Sequence, residues 1–369
     1  MRRTTDQRVP ADAPGVVLIA SQRDPLRLGD RGLIDALGPR VRLTHVPASS
    51  PLRHSFRAFT HASAALAGSE FELVHILDPR FAPVGHALRR RFGVPVTVSI
   101  TTADVTSRHP WDRLSIGCAR RFDEAFATDQ AVSDALRLTT PALRLSMVAP
   151  AASELPWPSP RDVADVARAL RGVRPGRAVV GVPWPANRND FRWFRDLIQP
   201  ALAARPVCLL FGVRSRREAR WMIHSSGRQS DYRLISRPLR AGALAAIARA
   251  VDAFAVPAPS GSERSGLSTD LALALAVGGA PVVSGASSRR PVFAHEDNAF
   301  LPDPDDERAF ASTLDSLLAL PAVQRHFLGE EFARFTLERW PWDAAAEVYA
   351  DRFAALVGRP SLPVEWRAA

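Results

Sequence analysis

The sequence predicts an α/β protein built as two doubly wound, Rossmann-like domains facing each other across a cleft. Three observations predict it. Short Val/Ile/Leu-rich runs alternate with amphipathic stretches of helical length from Gly15 onward. A Pro- and Trp-rich passage at 149–176 interrupts this alternation, which then restarts. The chain has 369 residues and is 46% hydrophobic, too long for one ordinary core and long enough for two.

The elements follow in order. In the first half the strand runs are GVVLIA from Gly15, VRLTHV from Val41, LVHIL from Leu73, VPVTVSI from Val94, EAFATD from Glu124 and RLSMVAP from Arg144. Helical stretches such as SFRAFTHASAALAG from Ser55 and QAVSDALRL from Gln130 lie between them. Continuous apolar strands alternating with helices argue for a parallel sheet covered on both faces. Proline in 149–176 excludes a regular element and marks a linker. The first domain is therefore placed at 1–158 and the second at 159–369. In the second half the runs are AVVGVPW, VCLLFG, YRLISRP, DAFAVPA, APVVSG and NAFLPD, and the tail after Asp305 reads as largely helical.

Composition narrows the function classes. Formal net charge is +10, and all 48 basic residues are arginine. Arginine grips phosphate bidentately, so nucleic acid is a rival partner. The arginines are spread along the chain with acids interleaved, and solvated helix faces account for most of them. Nucleic acid is therefore not the favoured partner. Leu88-Arg89-Arg90-Arg91-Phe92 and the Arg-rich N-terminus are locally basic, which leaves peripheral contact with an anionic membrane open. The two cysteines, Cys118 and Cys208, lie far apart in apolar surroundings and read as buried thiols of a reduced, cytoplasmic protein. No run has the length of a membrane span, and the first residues lack the apolar core of a signal peptide. No cluster has metal-ligand spacing, and no G-x-G-x-x-G follows the first strand, so a dinucleotide oxidoreductase loses most of its support.

The most informative stretch is 257–285, PAPSGSERSGLSTDLALALAVGGAPVVSG. It reads as a strand end, a Ser/Gly-rich turn, a short apolar helix with a Gly-Gly stop, and a buried strand. Ser268 is the candidate N-cap, Asp270 sits in the first turn where the helix dipole favours an anion, and Gly278-Gly279 closes the helix. In an open α/β domain such a turn lies at the carboxyl edge of the sheet, where its amides suit a diphosphate.

The order of segments resembles the group-one glycosyltransferases of GT-B fold, from Gly15 to about Leu356. RRFDEAFATDQAVSDALR, VAPAAS from Val148, GLSTDLALALAVGGAPVV and the tail from Glu296 carry the resemblance. It implies transfer of a sugar from a nucleotide-sugar donor, without metal or cofactor and with retention. It also implies a last helix, about 342–357, that crosses back to the first domain. The donor-side candidates are Arg188, Arg214, Arg217, Glu263, Ser265, Gly266, Leu267, Ser268 and Asp270, with Glu263 and Arg188 as the catalytic candidates. The acceptor-side candidates are Gly29, Asp78, Thr101, Thr102 and Asp104, the acceptor being a glycan, lipid or small molecule. The sequence departs from the family at several places. The family's paired glutamates fall on Ser265 and Leu273, and its first diphosphate-binding arginine has no counterpart at Gly181-Val182-Pro183-Trp184. Its histidine falls on Thr101 or Thr102. These departures motivate an alternative, a lapsed enzyme that keeps the fold as a binding protein. Read without the family, His75 is a core histidine, and His295 with Glu296 are loop residues.

Overall fold

The computed structural model describes residues 9–10, 12–21, 30–48, 51–67, 71–101, 104–105, 110–173, 176–182, 207–212, 232–235, 241–256, 269–285, 295–303 and 306–358. The chain divides into two compact units, residues 1–151 with 340–369, and residues 152–339.

In the first unit β1 (Gly15–Ser21), β2 (Arg42–Ala48), β3 (Leu73–Ile76), β4 (Val96–Ile100), β5 (Glu124–Ala127) and β6 (Leu145–Met147) form one parallel sheet. Their order is β2-β1-β3-β4-β5-β6. β3, β4, β5 and β6 fall inside the apolar runs the sequence sets aside for them, while β1 extends one residue and β2 two residues past theirs. Helices α1 (Asp30–Leu37), α2 (Pro51–Ala67), α3 (Ala82–Phe92), α4 (Pro110–Ala119) and α5 (Gln130–Thr139) connect them. Side chains alternate across a strand, so its two faces bury different sets. Val17, Ile19, Val74, Ile76, Val96 and Val98 pack in one core with Ala58, Ala62 and Leu66 of α2, Leu88 of α3 and Val132 of α5. Val16, Leu18, Leu73 and Phe126 pack in the other, with Leu33 and Leu37 of α1 and Tyr349 and Phe353 of the C-terminal helix (Trp342–Leu356).

Polar groups are inlaid on the face that receives the C-terminal helix. His75 is fully buried, with Nδ1 2.8 Å from Thr97 Oγ1 and Nε2 3.0 Å from Ser99 Oγ. Ser99 Oγ in turn lies 2.6 Å from the Tyr349 hydroxyl. Buried Glu124 accepts from Arg352 Nε and Nη2 at 2.8 and 3.0 Å and from the Ser146 hydroxyl. That bonding holds the Arg352 guanidinium above its usual range. Satisfied polar groups of this kind specify where a helix lands, since a shifted helix would leave them unpaired at about 1–3 kcal/mol each.

In the second unit β7 (Ala178–Val182), β8 (Val207–Gly212), β9 (Tyr232–Ile235), β10 (Ala253–Val256) and β11 (Val282–Ser284) form a parallel sheet in the order β11-β10-β7-β8-β9. Helices α6 (Pro160–Ala169), α7 (Ala241–Ala248), α8 (Thr269–Ala276), α9 (Glu307–Ala319) and α10 (Ala322–Arg339) accompany it. Val180, Val182, Leu209, Ala253, Ala255 and Val283 share a core with Phe310, Leu314 and Leu317 of α9.

Two expectations are corrected here. The passage 149–176 is not devoid of regular structure, because it contains α6. Pro160 occupies the first turn, where no backbone donor is needed, and Ser159 and Asp162 form a reciprocal capping box in front of it. The run NAFLPD forms no strand. Phe300 makes an isolated bridge to Val283, and Pro302 removes the donor that would extend the pairing. The division between the units falls after Ala151, ahead of residue 158. Trp157 lies under the Arg249 guanidinium at 3.8 Å, and α6 packs on α7 and β9, so this segment belongs with the second unit. Cys208 is buried in β8, Cys118 is half-buried in α4, and the two are not joined in a disulfide.

Candidate functional site

In an open parallel sheet, ligands bind beyond the carboxyl ends of the strands where the strand order reverses. The second sheet reverses between β7 and β10. The chain runs outward from β7 to β8 and β9, then returns to the far side of β7 for β10 and β11. The segments that leave Val182 and Val256 therefore start side by side at one sheet edge. Arg188 is six residues beyond Val182 in the sequence. Gly266, Leu267 and Ser268 immediately precede Thr269, the first residue of α8.

Arg188, Arg214, Arg217, Glu263, Ser265, Gly266, Leu267 and Ser268 lie outside the described residues. Asp270 falls in the first turn of α8, and its side chain lies outside the described set as well. The helix behind them is described. Leu271, Leu273 and Leu275 of α8 are at most 2% exposed, so the position where the related family carries a glutamate is here part of the core. The turn after α8 is built from Gly278 and Gly279, the latter at a left-handed φ of 81°. Helix α10 crosses this turn at Gly329, where an added Cβ would stand 2.1 Å from the Gly279 carbonyl oxygen. On β7 a Cβ at Gly181 would stand 2.8 Å from the Phe254 ring of β10. Close glycine contacts thus fix both strands of the reversal and the far end of α8.

The first sheet reverses between β1 and β3. Gly29, in the segment after β1, and Thr102, just past β4, lie outside the described residues. Asp78, two residues past the end of β3, is fully buried. Its carboxylate accepts from Arg80 N at 3.0 Å and from Arg80 Nε and Nη2 at 2.9 and 2.7 Å, which caps the short 3-10 turn Pro79–Phe81. Thr101, at the end of the adjacent β4, donates its N–H and hydroxyl to Asp104 Oδ2 at 2.8 and 2.9 Å. Asp78 and Thr101 therefore flank one another at neighbouring strand ends, and Asp104 is drawn to Thr101. Arg80 was not singled out in the sequence. Its signal was the Asp-Pro-Arg order, which lets the guanidinium fold back onto the carboxylate.

The remaining candidates are structural. His75 satisfies a buried network, and His295 Nδ1 accepts from Leu301 N at 3.0 Å within its own loop. Among the described residues no group of His, Cys, Asp or Glu is arranged to hold a metal ion. Among them, too, no helix is long and apolar enough to cross a membrane.

No protein-family model matches this sequence, and no curated protein matches it. Solved structures do. Sucrose-phosphate synthase from Thermosynechococcus elongatus is similar over 93% of this chain and 100% of its own, at TM-score 0.60 and 17% identity. Anabaena HepE, solved with UDP and glucose, is similar over 93% of this chain and 100% of its own, at TM-score 0.58 and 16% identity. This chain has the GT-B fold. A UDP-forming α,α-trehalose-phosphate synthase from Burkholderia vietnamiensis shares it, over 92% of this chain and 100% of its own, at TM-score 0.56 and 14% identity.

Proposed function

We propose that this protein transfers a sugar from a nucleotide-sugar donor to an acceptor, holding the donor on the second unit. The observation that carries the reading is the strand reversal between β7 and β10. It sets side by side the ends of β7 and β10, from which the chain runs on to Arg188 and to Glu263–Ser268. A diphosphate there meets helix amides and an arginine, which stabilise the charge that grows on the leaving group as the glycosidic bond breaks. Glu263 accepts hydrogen bonds from sugar hydroxyls. Arg214 and Arg217 follow the carboxyl end of β8, next to β7, and take over the missing first arginine of the related family. The likeness to structures such as HepE, which was solved with UDP-glucose, supports the donor class.

The acceptor, a glycan, lipid or small molecule, lies against the first unit near Gly29, Asp78, Thr101, Thr102 and Asp104. The reaction needs no metal, since arginines and amides neutralise the diphosphate, and it retains configuration as the resemblance implies. Release of UDP, GDP or ADP from the matching nucleotide sugars is the test. One donor class is consumed, turnover persists in EDTA, and the product keeps the donor's anomeric configuration by NMR. Arg188→Ala lowers kcat about 10²- to 10³-fold with the fold intact. If every donor is left unconsumed and unbound by a folded sample, the reading fails.

A further inference from the structure

We propose that the face formed by α2 and α3, together with the turn after α4, docks on an anionic lipid surface. Helix α2 packs against α3, and α3 against α4, so the three are neighbours on one side of the first sheet. Neither α2 nor α3 contains a single acidic residue. Arg57, Arg90, Arg91, Arg120 and Arg121 are all exposed there. Asp112 belongs to α4 and Asp123 follows it in the turn before β5. Asp123 is engaged on both oxygens, by Arg89 at 2.9 Å and by Val96 N at 2.8 Å.

Other helices of the chain are different. In α10, Arg325, Arg334 and Arg339 are interleaved with Glu330, Glu331 and Glu338, and Arg334 pairs with two of those glutamates. The arginines of α2 and α3 thus lack the interleaved acids that α10 carries.

Aromatic groups single out a lipid as the occupant. Phe56 is 80% exposed on α2. One turn along, the Arg91 guanidinium stands 5.8 Å above the Phe59 ring and 5.4 Å from Phe92. Arginines that take phosphate headgroups, beside an aromatic side chain standing free in water, match the boundary between headgroup and acyl layers. A nucleic-acid backbone would use the arginines and leave Phe56 in solvent.

The test is sedimentation of the full chain with vesicles of phosphatidylcholine, with and without phosphatidylglycerol. The protein binds the anionic vesicles, leaves the neutral ones, and is released as salt is raised. Each arginine contributes about fivefold to partitioning, so Arg57→Gln, Arg90→Gln and Arg91→Gln combined weaken it about a hundredfold. Arg161→Gln, Arg168→Gln and Arg171→Gln, an equal loss of charge on and just after α6, leave it unchanged. Phe56→Ala weakens it by a smaller factor. Failure to bind phosphatidylglycerol vesicles, equal loss in the two triple variants, or tighter binding to duplex DNA than to vesicles would each overturn the proposal.

Discussion

At the carboxyl edge of the first sheet, the polar side chains beside the strand ends are satisfied by near neighbours. Asp78 is buried against Arg80, and Thr101 gives both its donors to Asp104. At the corresponding edge of the second sheet, the described support is apolar and glycine-rich. Leu271, Leu273 and Leu275 fill the core behind α8 and Gly181 lies against Phe254, while at the far end of α8, toward the opposite edge, Gly329 lies against Gly279. One edge is shaped by side-chain pairs and the other by close backbone packing. The difference teaches where each kind of ligand contact originates. A preorganised backbone suits an anion bound through amides, whereas paired carboxylates and hydroxyls suit hydroxyl-rich ligands.

Substitutions can break or sharpen this contrast. The largest effect belongs to Leu273→Glu, which places the related family's carboxylate at its usual position. Because that position is buried, the substitution costs about 3–5 kcal/mol in urea unfolding and does not tighten nucleotide binding. Gly329→Ala follows. Its Cβ would collide with the Gly279 carbonyl, a backbone atom with little room to yield. About 1–3 kcal/mol is lost, seen as a Tm lower by several degrees. Asp78→Asn weakens charge-assisted hydrogen bonds to Arg80 and costs about 2 kcal/mol. Its kinetic effect falls on the acceptor KM, while donor Kd stays the same. A change in donor Kd in that variant would erase the distinction between the edges. The smallest effect is at Ser99→Ala, which removes one link between His75 and Tyr349 and costs about 1 kcal/mol of first-unit stability without altering donor binding.

The strands were legible because parallel strands buried on both faces are continuous apolar runs, as Gly15–Ser21 and Val207–Gly212 show. Helix α6 was not legible in 149–176 because proline there reads as a breaker, whereas at the first helical turn it is accommodated behind a Ser-x-x-Asp box. NAFLPD was overread because a short apolar run does not reveal that its neighbour pairs with it at one residue only. The order of strands, and with it the reversal between β7 and β10, was beyond any local reading, since it depends on pairings between residues more than seventy apart, such as Val180 and Ala253. The burial of Asp78 was equally hidden, because it follows from Arg80 turning back onto it. Leu273 was legible as a departure from the related family, and its burial gives that departure a physical reason.

The most direct test of the central claim is hydrogen–deuterium exchange of the full chain, with and without the nucleotide diphosphate or nucleotide sugar that binds it in a titration. The account predicts slowed exchange in peptides covering 183–190 and 257–276, with 77–105 unchanged until an acceptor is added. Slowed exchange confined to 77–105, with the two second-unit peptides unaffected, would contradict it.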